Sequence, residues 1–122
     1  MSIFNSQPLD GVIPATLLAF DDDMMIDEAA SRRHLRDVAA TDGLSAVTVN
    51  GHASEVHACS FDEQQRILEM SLDEAGDHLP MINGIYSDSS LEAARLARMA
   101  ETAGAAALLV FPPNSMIMGG QL

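Results

Sequence analysis

Apolar positions along the chain fall into short blocks separated by polar turns, and the blocks alternate between two forms. Residues 12–18, after Gly11, make a short apolar stretch leading into Asp21, Asp22 and Asp23, which predicts a buried strand and a turn. Asp27 then stands at an N-cap position. Glu28 complements the positive end of the helix dipole, and Ala30, Leu35 and Val38 supply an apolar face up to Gly43. Residues 44–49 are rich in valine and alternate little, as in strands covered on both faces, and they stop at Asn50-Gly51. Ser60 and Glu63 have the spacing of a capping box, after which Ile67, Leu68, Leu72 and Ala75 recur at helical spacing before Gly76. Residues 80–85 predict a third strand. Leu91, Ala94, Ala97 and Ala100 form the apolar face of a third helix, capped by the serines before it and closed by Gly104. The apolar run 105–111 ends at Pro112-Pro113, where a ladder must stop because proline has no N–H to donate, and it predicts the fourth strand.

The predicted order is β-α-β-α-β-α-β. Strands alternating with helices in this way imply right-handed crossovers and a parallel sheet, which makes the fold class α/β. Two architectures fit, an open doubly wound sheet and the first half of a (β/α)8 barrel. Periodicity does not choose between them. A complete barrel needs about 250 residues, whereas this chain has 122. Gly119, Gly120, Gln121 and Leu122 follow Met116 and Met118 with no helix to cover the fourth strand. The expectation is therefore that residues 1–122 are the N-terminal half of a single barrel domain, truncated after the fourth strand.

Charge narrows the partners. Eighteen acidic residues against six basic ones give a formal net charge of -12, which repels nucleic acid and the anionic face of a membrane. The sequence has no apolar run of roughly 18 residues and no secretory signal pattern, so a cytoplasmic location is expected. Cys59 is the single cysteine, which excludes an intramolecular disulfide and reads as a small buried side chain. All six basic residues are arginine, so this chain has no lysine to act as an amine nucleophile.

In parallel α/β folds ligands bind beyond the carboxyl ends of the strands. The richest loop there is Gly51-His52-Ala53-Ser54-Glu55. It resembles the Gly-Thr-Thr-Gly-Glu loop of the dihydrodipicolinate synthase and N-acetylneuraminate lyase family of class I aldolases, and Asp62-Glu63 matches the acidic pair that opens the family's next helix. Phe20-Asp21-Asp22-Asp23 with Ile26-Asp27 resembles the family's first loop, with Met24 in place of its glycine. Gly84, Ser89-Ser90-x-Glu92-Ala93 and Ala103-Gly104-Ala105 resemble the third loop and helix.

The resemblance implies a lyase that acts on pyruvate-type 2-oxo acids through a Schiff base, without a bound cofactor or metal, in a homo-oligomer. Gly51, His52, Ala53 and Ser54 would bind the substrate carboxylate. His52 and Ala53 replace two threonines, so the hydroxyl relay of the family is not reproduced here; His52 either moves protons in its place, as imidazole can near neutrality, or only fills space. Glu55 would anchor the loop, and Asn114 stands where the family has a tyrosine at the subunit interface. The family's catalytic tyrosine and lysine would lie beyond Leu122, so this chain alone is expected to be inactive. Two other functions compete, a non-catalytic half-barrel that pairs through its open edge and a metal-dependent aldolase. The latter is raised by His52, Glu55, His57 and Cys59, whose spacing matches no defined zinc pattern. Tyr86 would line the pocket, Asp21 to Asp23 would form a solvated turn, and His34, His57 and His78 would lie on solvated faces.

Overall fold

A computed structural model describes residues 9–114. The run from Met116 to Leu122, on which the expectation of an uncovered chain end rested, lies outside the described residues. Three helices and three strands appear in the predicted order: α1 Glu28–Ala39, β1 Val47–Val49, α2 Phe61–Ala75, β2 Met81–Ile85, α3 Ser90–Ala103 and β3 Ala107–Val110. No helix among the described residues is long and apolar enough to cross a membrane.

Each helix starts where a side chain satisfies amides that have no partner within the helix. The Asp27 carboxylate accepts from Ala30 N at 2.9 Å. Ser60 Oγ accepts from Glu63 N at 3.1 Å while Glu63 Oε1 accepts from Ser60 N at 2.9 Å, which completes the capping box. Ser89 Oγ accepts from Glu92 N at 3.3 Å. Gly104 closes α3 with φ of 112°, a left-handed geometry that glycine adopts without strain. α1 ends at Ala39, short of the predicted Gly43, because residues 40–43 turn towards β1.

The sheet is parallel with order β1-β2-β3, and Val47 pairs with Met81 and Ile82 with Ala107. Val47, Val49, Met81 and Ile85 share one face by the two-residue repeat of a strand. They lie in one buried cluster with Leu35 of α1, Leu68 of α2 and Leu96 of α3. All three helices therefore cover the same face. A doubly wound sheet divides its helices between two faces, so the arrangement is that of successive units of a (β/α) barrel.

The first predicted strand differs from expectation. Residues 12–18 run parallel to β1 and the segment that leads into it, but touch them through two isolated bridges, Val12 with Leu44 and Ala15 with Thr48. Thr48 N donates to Pro14 O at 2.9 Å and Thr16 N to Thr48 O at 3.0 Å, whereas Pro14 has no N–H to add to a ladder. Nor is the stretch buried, for Val12 is 64% and Leu17 61% exposed at the free edge. β3 is open as well. Leu108 and Val110 continue the helix-covered face of Asn83 and Ile85 in register, yet no helix covers them among the described residues.

Ion pairs join α1 to α2 on the outer surface. Arg32 Nη1 lies 2.7 Å from Asp73 and 3.1 Å from Glu74, Arg36 Nη1 2.6 Å from Glu74, and Arg66 Nη2 3.0 Å from Glu28.

Candidate functional site

The carboxyl ends of β1, β2 and β3 bring three loops together. After β1 the chain turns at Asn50, which is fully buried with φ of 55°, and enters two short 3-10 turns, His52–Ser54 and Val56–Ala58. Asn50 Nδ2 donates to Asn83 Oδ1 at 2.8 Å and to Gln64 O at 2.9 Å, and so ties the loop to β2 and α2. Ser54 Oγ donates to Gly51 O at 3.0 Å. Gly84 lets β2 approach this turn, since a Cβ there would lie 2.1 Å from Asn50 O.

The anchoring expected of Glu55 belongs instead to Asn50, Ser54 and Gln64, whose Nε2 donates to Cys59 O at 3.0 Å. Glu55 is exposed at φ of 58°, and it is its backbone carbonyl, not its carboxylate, that accepts from Ala58 N at 2.9 Å. Sequence reasoning did not identify Asn83 or Gln64. The repeated Asn-Gly at 50–51 and 83–84, each at a strand end, is the signal that would have found the asparagine pair.

His52 and Ala53 are exposed at the start of the first 3-10 turn, where amides have no earlier carbonyl within the turn, and these two have no acceptor among the described residues. The His52 ring stacks on Phe111, with centroids 4.0 Å apart and planes 16° apart, and stands edge-on to Tyr86 at 5.4 Å. Asn114 Nδ2 donates to the Tyr86 hydroxyl, and Asn114 N donates to Asp88 Oδ1 at 2.7 Å. His52, Tyr86, Phe111 and Asn114 thus form one cluster drawn from three loops. The sequence pointed to three of them. Phe111 was read only as a strand residue.

Other candidates fall elsewhere. No group of three His, Cys, Asp or Glu side chains among the described residues is placed to hold a metal ion, so the series His52, Glu55, His57 and Cys59 does not converge. Cys59 is half-buried rather than buried, and its thiol is pushed up by burial first and by the charges of Glu63 and Glu55 second, which keeps it from the reactive thiolate form. His34 does more than face solvent, because its Nε2 accepts from Leu17 N at 3.0 Å and pins the leading segment to α1. His57 and His78 are exposed as expected. Asp21 organises its own turn, its Oδ1 accepting from Asp23 N at 2.9 Å and Met25 N at 3.0 Å. A surface hollow of about 780 Å³, bordered by Arg36, Glu74 and His78, lies at the opposite end of the sheet from these loops.

Comparison with known proteins extends the likeness along most of the chain. A sequence model described as "Dihydrodipicolinate synthetase family" matches residues 8–116. The 4-hydroxy-tetrahydrodipicolinate synthase of Salinibacter ruber is 39% identical over 103 residues, which cover 84% of this chain and 34% of that protein. The enzyme of the same name from Bartonella henselae is 34% identical over 105 residues, covering 86% of this chain and 35% of its own length. The chain thus spans about a third of these curated relatives. Among solved structures, the dihydrodipicolinate synthase of Aquifex aeolicus superimposes with a TM-score of 0.77 at 26% identity, over 84% of this chain and 34% of its own. That of Bacillus clausii gives 0.81 at 20% identity, over 87% and 36%, and supports the fold alone.

Proposed function

Since the chain belongs to the dihydrodipicolinate synthetase family, we propose that it forms the N-terminal part of a barrel lyase acting on a pyruvate-type 2-oxo acid. In this reading a lysine from outside the 122 residues attacks the 2-oxo carbon and forms an imine with loss of water, because the chain itself has no lysine. This chain supplies the carboxylate site. The amides of residues 51–54 receive the anion, a role that asks for N–H groups and not for particular side chains. The observation that carries the reading is that His52 and Ala53, exposed residues at the carboxyl end of the sheet in the loop that resembles the family's Gly-Thr-Thr-Gly-Glu, have amides without an acceptor among the described residues.

His52 takes the place of the relay hydroxyl and passes protons at the substrate, held by its stack on Phe111. Asn114 takes the position of the interface tyrosine, within a homo-oligomer in the cytoplasm. A strongly acidic chain repels an anionic substrate at long range, so these local donors must outweigh the surrounding field.

Intact-mass analysis after incubation with pyruvate and borohydride tests the imine. We expect trapping on the product of a longer reading frame that includes the lysine, and none on this chain. Absence of trapping on both would rule out the imine. It would favour the second reading, a half-barrel that assembles through an open edge, which the exposure of Leu108, Leu109 and Val110 supports.

A further inference from the structure

Tyr86 has no part in the reading above, yet its surroundings suit it to one. The ring follows β2 directly, is half-buried, and stands edge-on to His52 at 5.4 Å. Its oxygen accepts from Asn114 Nδ2, and Asn114 is held in turn by the bond from its backbone N to Asp88 Oδ1 at 2.7 Å. A phenol that accepts through its oxygen keeps its own proton to donate. No acceptor for that proton occurs among the described residues, and the ring contact with His52 sets the phenol beside the loop whose exposed residues His52 and Ala53 follow β1. A phenol already held by one hydrogen bond pays a lower ordering cost for a second.

We propose that Tyr86 is a substrate-binding donor whose phenolic proton bonds the 2-oxo oxygen of the acid held at residues 51–54. The assignment rests on the proposed carboxylate site. It adds a contact that senses the oxo group, whereas the loop amides sense only the carboxylate. Asp88 and Asn114 are positioning residues that act through Tyr86.

The chain has one tyrosine and no tryptophan, so labelled tyrosine gives a single Cζ resonance free of overlap. Pyruvate and propionate, which share the carboxylate and differ in the oxo group, would each be titrated while Tyr86 Cζ and the His52 and Ala53 amides are followed. The expected result is saturating amide shifts with both acids and a Cζ shift with pyruvate alone, at the same midpoint. Tyr86→Phe keeps the ring and loses the proton, and it should weaken pyruvate by about tenfold and leave propionate unchanged.

A silent Cζ with saturating amide shifts, and unaltered pyruvate affinity in Tyr86→Phe, would overturn the assignment and leave the carboxylate site standing. A Cζ shift with propionate equal to that with pyruvate would overturn it too, by moving the contact to the carboxylate. Absence of saturable amide shifts with either acid would sink the carboxylate site and the assignment together. The wild-type Cζ measurement decides the case even if the variant fails to fold.

Discussion

Two backbone positions show how one residue type can be required in one turn and missing from another. At Gly84 a Cβ would lie 2.1 Å from Asn50 O, a carbonyl that the Asn50 turn holds in place. Gly84→Ala should therefore lower stability by about 2–3 kcal/mol, read as a shifted midpoint in urea unfolding. Met24 is the converse. It stands where the family's first loop has glycine, and it keeps the left-handed backbone, at φ of 64°, that glycine would adopt freely. Relief of that strain exceeds the entropy glycine adds to the unfolded chain, so Met24→Gly should raise stability by up to about 1 kcal/mol in the same assay. The glycine at 84 was legible in the sequence as part of a family pattern. The reason for it was not, because the clash involves a carbonyl more than thirty positions away.

The helices were the most legible elements, since their limits are set by neighbours a few residues apart. Asp27 and Ser60 each cap the helix they were expected to start, and of the serines expected to cap α3 it is Ser89 that does so. Strands depend on what lies beside them, and there the sequence reading was less complete. Residues 12–18 are apolar enough for a buried strand, yet Pro14 and the free edge leave them with two bridges. In the candidate site, His52 and Asn114 were visible from motif positions, while the Asn50–Asn83 bond became apparent only once the two strands were paired. The pairing of α1 with α2 leads to a pH test. The Glu28 carboxyl is held below its usual range by Arg66 first and Arg32 second, and that of Glu74 by Arg36 and then Arg32. A lowered carboxylate pKa favours the folded chain above the ordinary glutamate range, and the benefit disappears as pH falls through the folded value. The thermal midpoint should hold steady from pH 7 to about 5 and decline below that. Glu28→Gln should lower the midpoint at neutral pH and flatten the acid decline, with a small effect because the groups are exposed to solvent.

At the scale of the whole molecule, β1 and β2 are packed under the helices and the two margins of the sheet are not. Leu108, Leu109 and Val110 at one margin and Val12 and Leu17 at the other leave apolar surface in solvent. Such margins favour contact with further strands, from the rest of a barrel or from another chain. The order of pairing has a separate consequence. Residues 12–18 adjoin β1, β1 adjoins β2 and β2 adjoins β3, so among the described residues no strand is inserted between two earlier ones. The molecule behaves as a line of nearest neighbours, in which cooperative opening can begin at either end and move inward. Among the three strands, amide hydrogen exchange should be slowest in β2, which alone has a four-pair ladder on one side and a three-pair ladder on the other, and fastest in β3. Equal protection in all three strands would show a single all-or-none unit instead. A line of this kind can gain a strand and its helix at the margin without rethreading the units already in place, so growth by duplication and joining is open to it at every length.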